Sequence, residues 1–331
     1  MSKTDLQKHL LAKIENGLKE LDLPRDPKTL YEPYRYTLSV GGKRIRPMLT
    51  FLACGLCKGD LNDALPAALA VEILHNFTLV HDDIMDSADT RRGEPSVFKK
   101  WNENTAILSG DAMFADAYRQ LSYYGQNAAF SKEEYAAIHE VFSKAIITVC
   151  EGQALDMEFV ERKHVKHEEY IQMIAGKTAA LLSAALEMGA ISAHASPQKR
   201  SELHELGYEM GIAFQIQDDY LDATADPEKF GKRPGGDIFE GKKTYLTILA
   251  LERANEEQSA FIQDTLNDND PKIENVEQVL NVMETLNVLK DVAAEIDQHY
   301  KKAFELLNKF TSSEYQQELE KLLIFLQNRD H

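Results

Sequence analysis

The sequence predicts an all-α fold, and three observations predict it. Apolar residues recur with a period close to 3.6 nearly throughout, as in ALPAALAVEILHNFTLVHDD and AFSKEEYAAIHEVFSKAIITVCEGQALDMEFV. Alternating, strand-like runs are scarce. Chain breakers fall between the periodic runs, at Leu23-Pro24, Gly41-Gly42, Gly93 to Pro95, Ser196-Pro197 and the Gly/Pro cluster from Gly231 to Gly236. With 331 residues, 44% of them hydrophobic, the chain can bury a large core. It shows no low-complexity linker, clear composition shift or repeat of supersecondary length, so a single domain over residues 1–331 is expected.

Along the chain, MSKTDLQKHLLAKIENGLKEL mixes charges at helical spacing and has no signal-peptide core. No run of eighteen apolar residues follows, so no stable membrane insertion is expected. An excess of 54 acidic over 37 basic residues, a net charge of −17, argues against nucleic acid or an anionic membrane as partner. The Cys54–Cys57 C-x-x-C has no βαβ pattern around it, and Cys150 alone cannot complete a four-ligand zinc site; both cysteines read as small apolar residues of a buried helix. Three cysteines, an odd number, fit a reducing compartment, and a cytoplasmic protein is expected. The acidic stretch from Asn255 to Glu274 reads as solvated periphery.

One short pattern recurs. Asp82-Asp83-Ile84-Met85-Asp86 is matched by Asp218-Asp219-Tyr220-Leu221-Asp222, each closing an apolar helical run. The first and last aspartates of each copy are i and i+4, on one helix face about one turn apart. Like charges at that spacing cost an isolated helix a few tenths of a kcal/mol per pair, so a cation is the natural compensation. Mg2+ is the candidate, because it takes oxygen ligands and typically uses one or two carboxylates plus substrate phosphates. Calcium fits less well, since neither copy has the D-x-[DN]-x-[DN]-G loop.

Basic residues gather beside glycines at Gly41-Gly42-Lys43-Arg44-Ile45-Arg46-Pro47, Arg91-Arg92-Gly93, Gly231-Lys232-Arg233 and Gly241-Lys242-Lys243. Arginine grips phosphate with a planar fork, lysine acts as a mobile point charge, and glycine lets backbone approach a ligand. Acidic sets for metal and basic sets for phosphate together describe a site for diphosphates. No Walker G-x-x-x-x-G-K-[ST] is present, which excludes a P-loop nucleotide site.

At these residues the sequence resembles the trans-isoprenyl diphosphate synthases, or polyprenyl synthetases. The matching elements run in family order from Gly41 to Tyr245: GGKRIRP, DDIMDSADTRRG, Gly176-Lys177-Thr178, FQIQDDYLD, GKRPGGD and GKKTY. The resemblance implies a single large bundle of antiparallel helices around a deep central cavity, as a homodimer. It implies Mg2+ held by Asp82 and Asp86 on one side of an allylic diphosphate and by Asp218 on the other. Asp222 joins that metal set through water, as Asp83 and Asp219 act through water. Lys43, Arg46, His75 and Arg92 match contacts to isopentenyl diphosphate, and Arg91, Lys177, Lys232 and Lys242 match contacts to the allylic diphosphate. Thr178 and Gln215 match polar groups at the reaction centre. For His75 the residues alone leave open a core histidine, and the His164/His167 pair reads as surface.

The implied reaction is condensation of isopentenyl diphosphate with an allylic diphosphate to a short-chain, all-trans prenyl diphosphate. Product length is expected to depend on Phe77 and Thr78, just before the first motif, each about 1.5 Å per residue deeper along the helix axis than Asp82. Thr78, near the Asp82 face, is small. Phe77 lies off that face on a helical wheel, and its role as floor rests on the resemblance. One aromatic with no insertion in the first motif resembles the archaeal geranylgeranyl type, so C20 is expected, with C15 its main competitor. Alternatives are a class I terpene cyclase, a non-catalytic synthase subunit and a non-catalytic acidic metal-binding helical protein. The first is opposed by the second D-D-x-x-D and GGKRIRP, the second by two intact motifs, the third by the basic clusters. FLQNRDH departs from the basic tail with which many eukaryotic farnesyl synthases close over isopentenyl diphosphate.

Overall fold

A computed structural model of the chain describes residues 4–162, 164–224, 234–268 and 270–329. Its regular structure is helical, as predicted. The one sheet among the described residues pairs Thr90–Arg91 with Glu94–Pro95. The chain groups into two compact units: Met1–Ser143 with Ala184–His204 and Phe310–Leu319, and Lys144–Ser183 with Glu205–Lys309 and Glu320–His331.

The first unit is built around the helix Leu61–Met85, which packs chiefly on Glu103–Gln126 and Ile45–Leu56. Asp60 starts that helix by accepting from the Asn62 N–H, and Ser87, at φ 52°, turns the chain away after Asp86. Residues Ala67 to Leu74 are all buried, which is why the apolar pattern here is hardly one-sided. The helix Asp5–Lys19 opens on the capping box of Thr4 and Gln7 and packs against the same core. Close approach elsewhere requires glycine: a Cβ at Gly189 would collide with the Thr50 carbonyl oxygen.

In the second unit the helix His167–Ile174 widens into a π turn, Ala175–Ala179, before continuing as Ala180–Ser192. A Cβ at Gly152 would strike the Lys177 nitrogen, and one at Gly176 would lie 2.7 Å from the Thr148 carbonyl oxygen. Two backbones therefore touch where the turn widens, and such turns recur at functional sites. Here the turn carries Lys177 and Thr178. The helix Pro197–Thr224 bears the second aspartate motif, and its Gly211 sits against Ala179, where a Cβ would come within 2.5 Å of the Ala179 Cα.

The helix Leu61–Met85 and the helical stretch His167–Ser192 are long and apolar enough to cross a membrane by length and composition, but most of each is buried within the protein. Their apolar character is accounted for as core. Cys54 is buried and Cys57 half-buried; burial pushes the first thiol up to about 12 and the second to about 11, so both are inert thiols at neutral pH.

Candidate active site

In the first unit, four segments bring the predicted basic residues together. Gly41 and Gly42, at φ 85° and 150°, make the loop before the helix Ile45–Leu56. Arg92 and Gly93, at φ 56° and 81°, form the two-residue turn of the Thr90–Pro95 hairpin. The turn lays the Arg92 guanidinium on the glycine loop, where it donates to the Gly41 carbonyl oxygen and leaves no room for a side chain at Gly42.

Arg46 and His75 meet beside it, with Arg46 Nη1 3.2 Å from His75 Nε2. Burial first, and then the charges of Arg46, Arg92, Arg44 and Arg91, hold the imidazole pKa well below its usual range. The ring is therefore neutral at pH 7, and since arginine only donates, Nε2 is the acceptor. Burial also lowers Arg46 to about 10, with Arg92 adding to the fall and Glu72 opposing it; the group stays charged. Arg46 Nε is buried with no hydrogen-bond partner among the described residues. An unpaired buried donor amid arginines is a place for an anion.

Arg44, one residue before that helix, does something sequence reasoning missed. Its guanidinium is 1% exposed and binds Glu72 at 2.6 Å, Glu15 at 2.8 Å and the Leu38 carbonyl oxygen at 2.8 Å. It ties three helices together. Lys43, by contrast, is exposed.

The first aspartate motif closes the helix Leu61–Met85. Asp83 is buried and accepts two hydrogen bonds from Arg91, at 2.8 and 2.5 Å, while Asp82 is half-buried and Asp86 exposed. Burial raises the Asp83 carboxyl above its usual range, against the pull of Arg91. The structure thus sorts the motif: Asp83 is committed to Arg91, and Asp82 and Asp86 are the more accessible pair. Phe77 meets the His81 ring at a tilt, centroids 4.6 Å apart, and Phe114 at 5.4 Å, whose ring leads on to Tyr118. Thr78 donates to the His75 carbonyl oxygen at 2.8 Å.

The second unit gathers the remaining residues. Lys177 pairs with Asp156 at 2.5 Å, and Thr178 donates to Gln215 Oε1 at 2.8 Å. Asp156 was not singled out from the sequence; in ALDMEFV it stands two residues before a second carboxylate, Glu158, and nothing local sets it apart. Asp218 is 41% exposed at its side chain. Asp222 accepts from the Asp237 N–H at 2.9 Å, and burial raises its carboxyl. Lys242 binds Glu240 at 2.5 Å and Asp237 at 3.2 Å, and these carboxylates outweigh burial to raise its pKa. Lys232 lies outside the described residues. His164 is exposed, and half-buried His167 sets its ring edge-on to Tyr245 at 4.9 Å.

Asp219 is buried and accepts from the Tyr170 hydroxyl and, at 3.0 Å, from the Tyr245 N–H. Burial pushes its carboxyl up to about 7, beyond what those donors recover. A folded pKa above the unfolded 3.8 means that the protonated form is the one favoured by folding. Its contribution is fully present below the unfolded pKa and is lost as pH rises through about 7. Asp219→Asn is accordingly expected to flatten the fall of Tm over that window; melting curves in which the variant keeps the parent's slope would contradict the assignment.

The carboxylate oxygens of both motifs suit a hard divalent cation. Among the described residues no three His, Cys, Asp or Glu side chains converge to hold a metal by themselves. Mg2+ typically takes one or two carboxylates and fills its other positions with water and substrate phosphates.

Comparison with known proteins places these features in a family. The family model described as polyprenyl synthetase matches residues 27–283. A short chain isoprenyl diphosphate synthase of Methanothermobacter thermautotrophicus is 39% identical, over 92% of each chain. A geranylgeranyl diphosphate synthase of Methanosarcina mazei is 42% identical over 76% of this chain and 77% of the relative. The crystal structure of a geranylgeranyl pyrophosphate synthetase from Pyrococcus horikoshii superposes with a TM-score of 0.90 at 36% identity, over 97% of both chains.

Proposed function

The chain belongs to the polyprenyl synthetase family, and from that premise we propose which of its residues run the reaction and how long a product they make. It has the all-α isoprenoid synthase fold and is a short-chain trans-prenyltransferase. The cyclase and non-catalytic alternatives find no support among its relatives.

The observation that carries the reading is the buried, unpaired Arg46 Nε amid Arg44, Arg91, Arg92 and a neutral His75. A buried donor left without a partner is costly unless it receives an acceptor, and an anion supplies one. Arg46, His75 and Arg92, with exposed Lys43 as a mobile charge, take isopentenyl diphosphate. Arg91, Lys177, Lys232 and Lys242 take the allylic diphosphate. Asp82, Asp86 and Asp218 hold Mg2+, with Asp222, tied to the Asp237 N–H, acting through water. Bound there, Mg2+ offsets the negative charge that develops on the leaving diphosphate.

The chain's own groups do the rest. Lys177 and Lys242 stabilise the leaving diphosphate as the allylic C–O bond breaks. Thr178 orients Gln215, and the side-chain carbonyl of Gln215 offers partial negative charge to the allylic cation. C4 of isopentenyl diphosphate then bonds to C1 of that cation, and a proton leaves from C2. No side chain in the set is an obvious base, and the departing diphosphate takes the proton.

For product length we propose C20. Phe77, backed by Phe114 and then Tyr118, is the floor, and small Thr78 leaves room above it. Phe77→Ala is expected to let products run beyond C20, and Thr78→Phe to shorten them toward C15. An unchanged product distribution in Phe77→Ala would remove Phe77 as the floor.

We propose further that residues 1–331 act as one domain, in the cytoplasm, as a homodimer. The family match runs through segments of both units, and Ile107 and Leu108 expose apolar surface on the helix Glu103–Gln126. Incubating the purified chain with Mg2+, isopentenyl diphosphate and farnesyl diphosphate, then weighing the products, tests the whole reading. A C20 prenyl diphosphate is expected; no condensation with any allylic diphosphate would overturn it.

A further inference from the structure

In the second unit an arginine far along the chain sits on the second aspartate motif. The Arg329 guanidinium lies 2.5 Å from Asp218 Oδ1, donates to the Phe214 carbonyl oxygen at 2.8 Å and to Gln217 Oε1 at 3.2 Å, and covers the Phe214 ring at 3.9 Å. Its side chain is only 10% exposed. Gln217 clamps the same stretch from the other direction, donating to the Gln327 carbonyl oxygen at 2.9 Å while its own Oε1 also accepts from Tyr300 at 2.9 Å. Planarity, permanent charge and a fork of donors make arginine, unlike lysine, able to stack on Phe214 and hold Asp218 at once.

We infer that Arg329 is a positioning residue of the second aspartate motif: its guanidinium holds Asp218 as counter-cation in the metal-free protein and gives way to a divalent cation that arrives with diphosphate. This rests on the reading of Asp218 as a metal ligand. The guanidinium holds and orients the half-exposed carboxylate, and a cation that needs the same oxygen must displace it. A metal ion arriving alone leaves the guanidinium largely buried without its carboxylate, so it binds weakly. A metal ion arriving with diphosphate also brings phosphate oxygens, the anion that arginine binds best. The sequence FLQNRDH, with its single arginine, thereby acquires a role on the metal side of the site.

The test uses Mn2+ as probe on the full chain, with free Mn2+ read by electron paramagnetic resonance, without and with methylenebisphosphonate. Arg329→Gln is expected to bind Mn2+ alone about 5- to 10-fold tighter, the range for loss of a competing, partly buried ion pair. With the bisphosphonate the gain should shrink to about twofold or less, because the diphosphate already supports the exchange. Arg329→Lys, which keeps the charge without the fork or the stacking, should fall between parent and Arg329→Gln. Unchanged or weaker Mn2+ binding by Arg329→Gln overturns the inference; should that variant not fold, parent-like binding by Arg329→Lys does so. Asp218→Asn separates the two readings. If it leaves Mn2+ binding with bisphosphonate intact in the parent background, Asp218 is no metal ligand and the underlying assignment fails. If it abolishes that binding and also cancels the gain in the double variant, both stand.

Discussion

Asp82→Ala and Asp218→Ala are each expected to lower the rate of condensation by about three orders of magnitude or more while leaving helix content intact. On the proposed reading each removes a carboxylate that would hold the cation offsetting leaving-group charge, worth several kcal/mol, and each 1.36 kcal/mol is tenfold in rate. The fold should tolerate both changes, because Asp82 is half-buried at a helix end and Asp218 is 41% exposed at its side chain. Steady-state turnover measured beside far-ultraviolet circular dichroism decides the matter. Near-parental turnover by either variant would refute its metal assignment, and lost helicity would show a structural role instead. Asp83→Ala makes the contrast: Asp83 is buried and bound twice by Arg91, so its loss should also unsettle the Thr90–Pro95 hairpin.

The second large effect is on stability and comes from Arg44. With its guanidinium 1% exposed against Glu72 at 2% and Glu15 at 35%, Arg44→Ala strands a buried carboxylate. Breaking a buried pair in this way costs about 3–5 kcal/mol. Thermal unfolding should show a clear fall in Tm, with Lys43→Ala, one residue earlier and exposed, moving it little. Equal effects of the two substitutions would mean that the Glu72 tie contributes nothing net. The neighbouring Arg46 differs again. Its Nε has no hydrogen-bond partner among the described residues, so Arg46→Ala removes charge from the proposed anion site without stranding a carboxylate bound to that nitrogen.

GGKRIRP shows the limit of reading from sequence. Composition and the glycine context mark three cations for phosphate, yet nothing in the string distinguishes Lys43, Arg44 and Arg46. The left-handed turn at Arg44, φ 51°, points one side chain into the core, and only the position of Glu72 and Glu15 on other helices gives it partners. The same holds for Lys177, whose partner Asp156 lies 21 residues earlier on the chain.

What the sequence determined by itself is what local rules govern. Period 3.6, breakers between runs and capping residues prescribe helices, because each depends on neighbours within about one turn. The repeated D-D-x-x-D and the glycine-flanked cations declare diphosphate chemistry, because the ligand demands those side chains wherever they fold. Tertiary structure alone decided how each group is used. Asp83 is tied to Arg91, Asp219 is buried beside Tyr170 with its carboxyl near 7, His75 is kept neutral among arginines, and Arg329 reaches Asp218 across 111 positions of sequence. Burial and through-space charge set protonation and pairing, and both depend on distances that chain order does not carry.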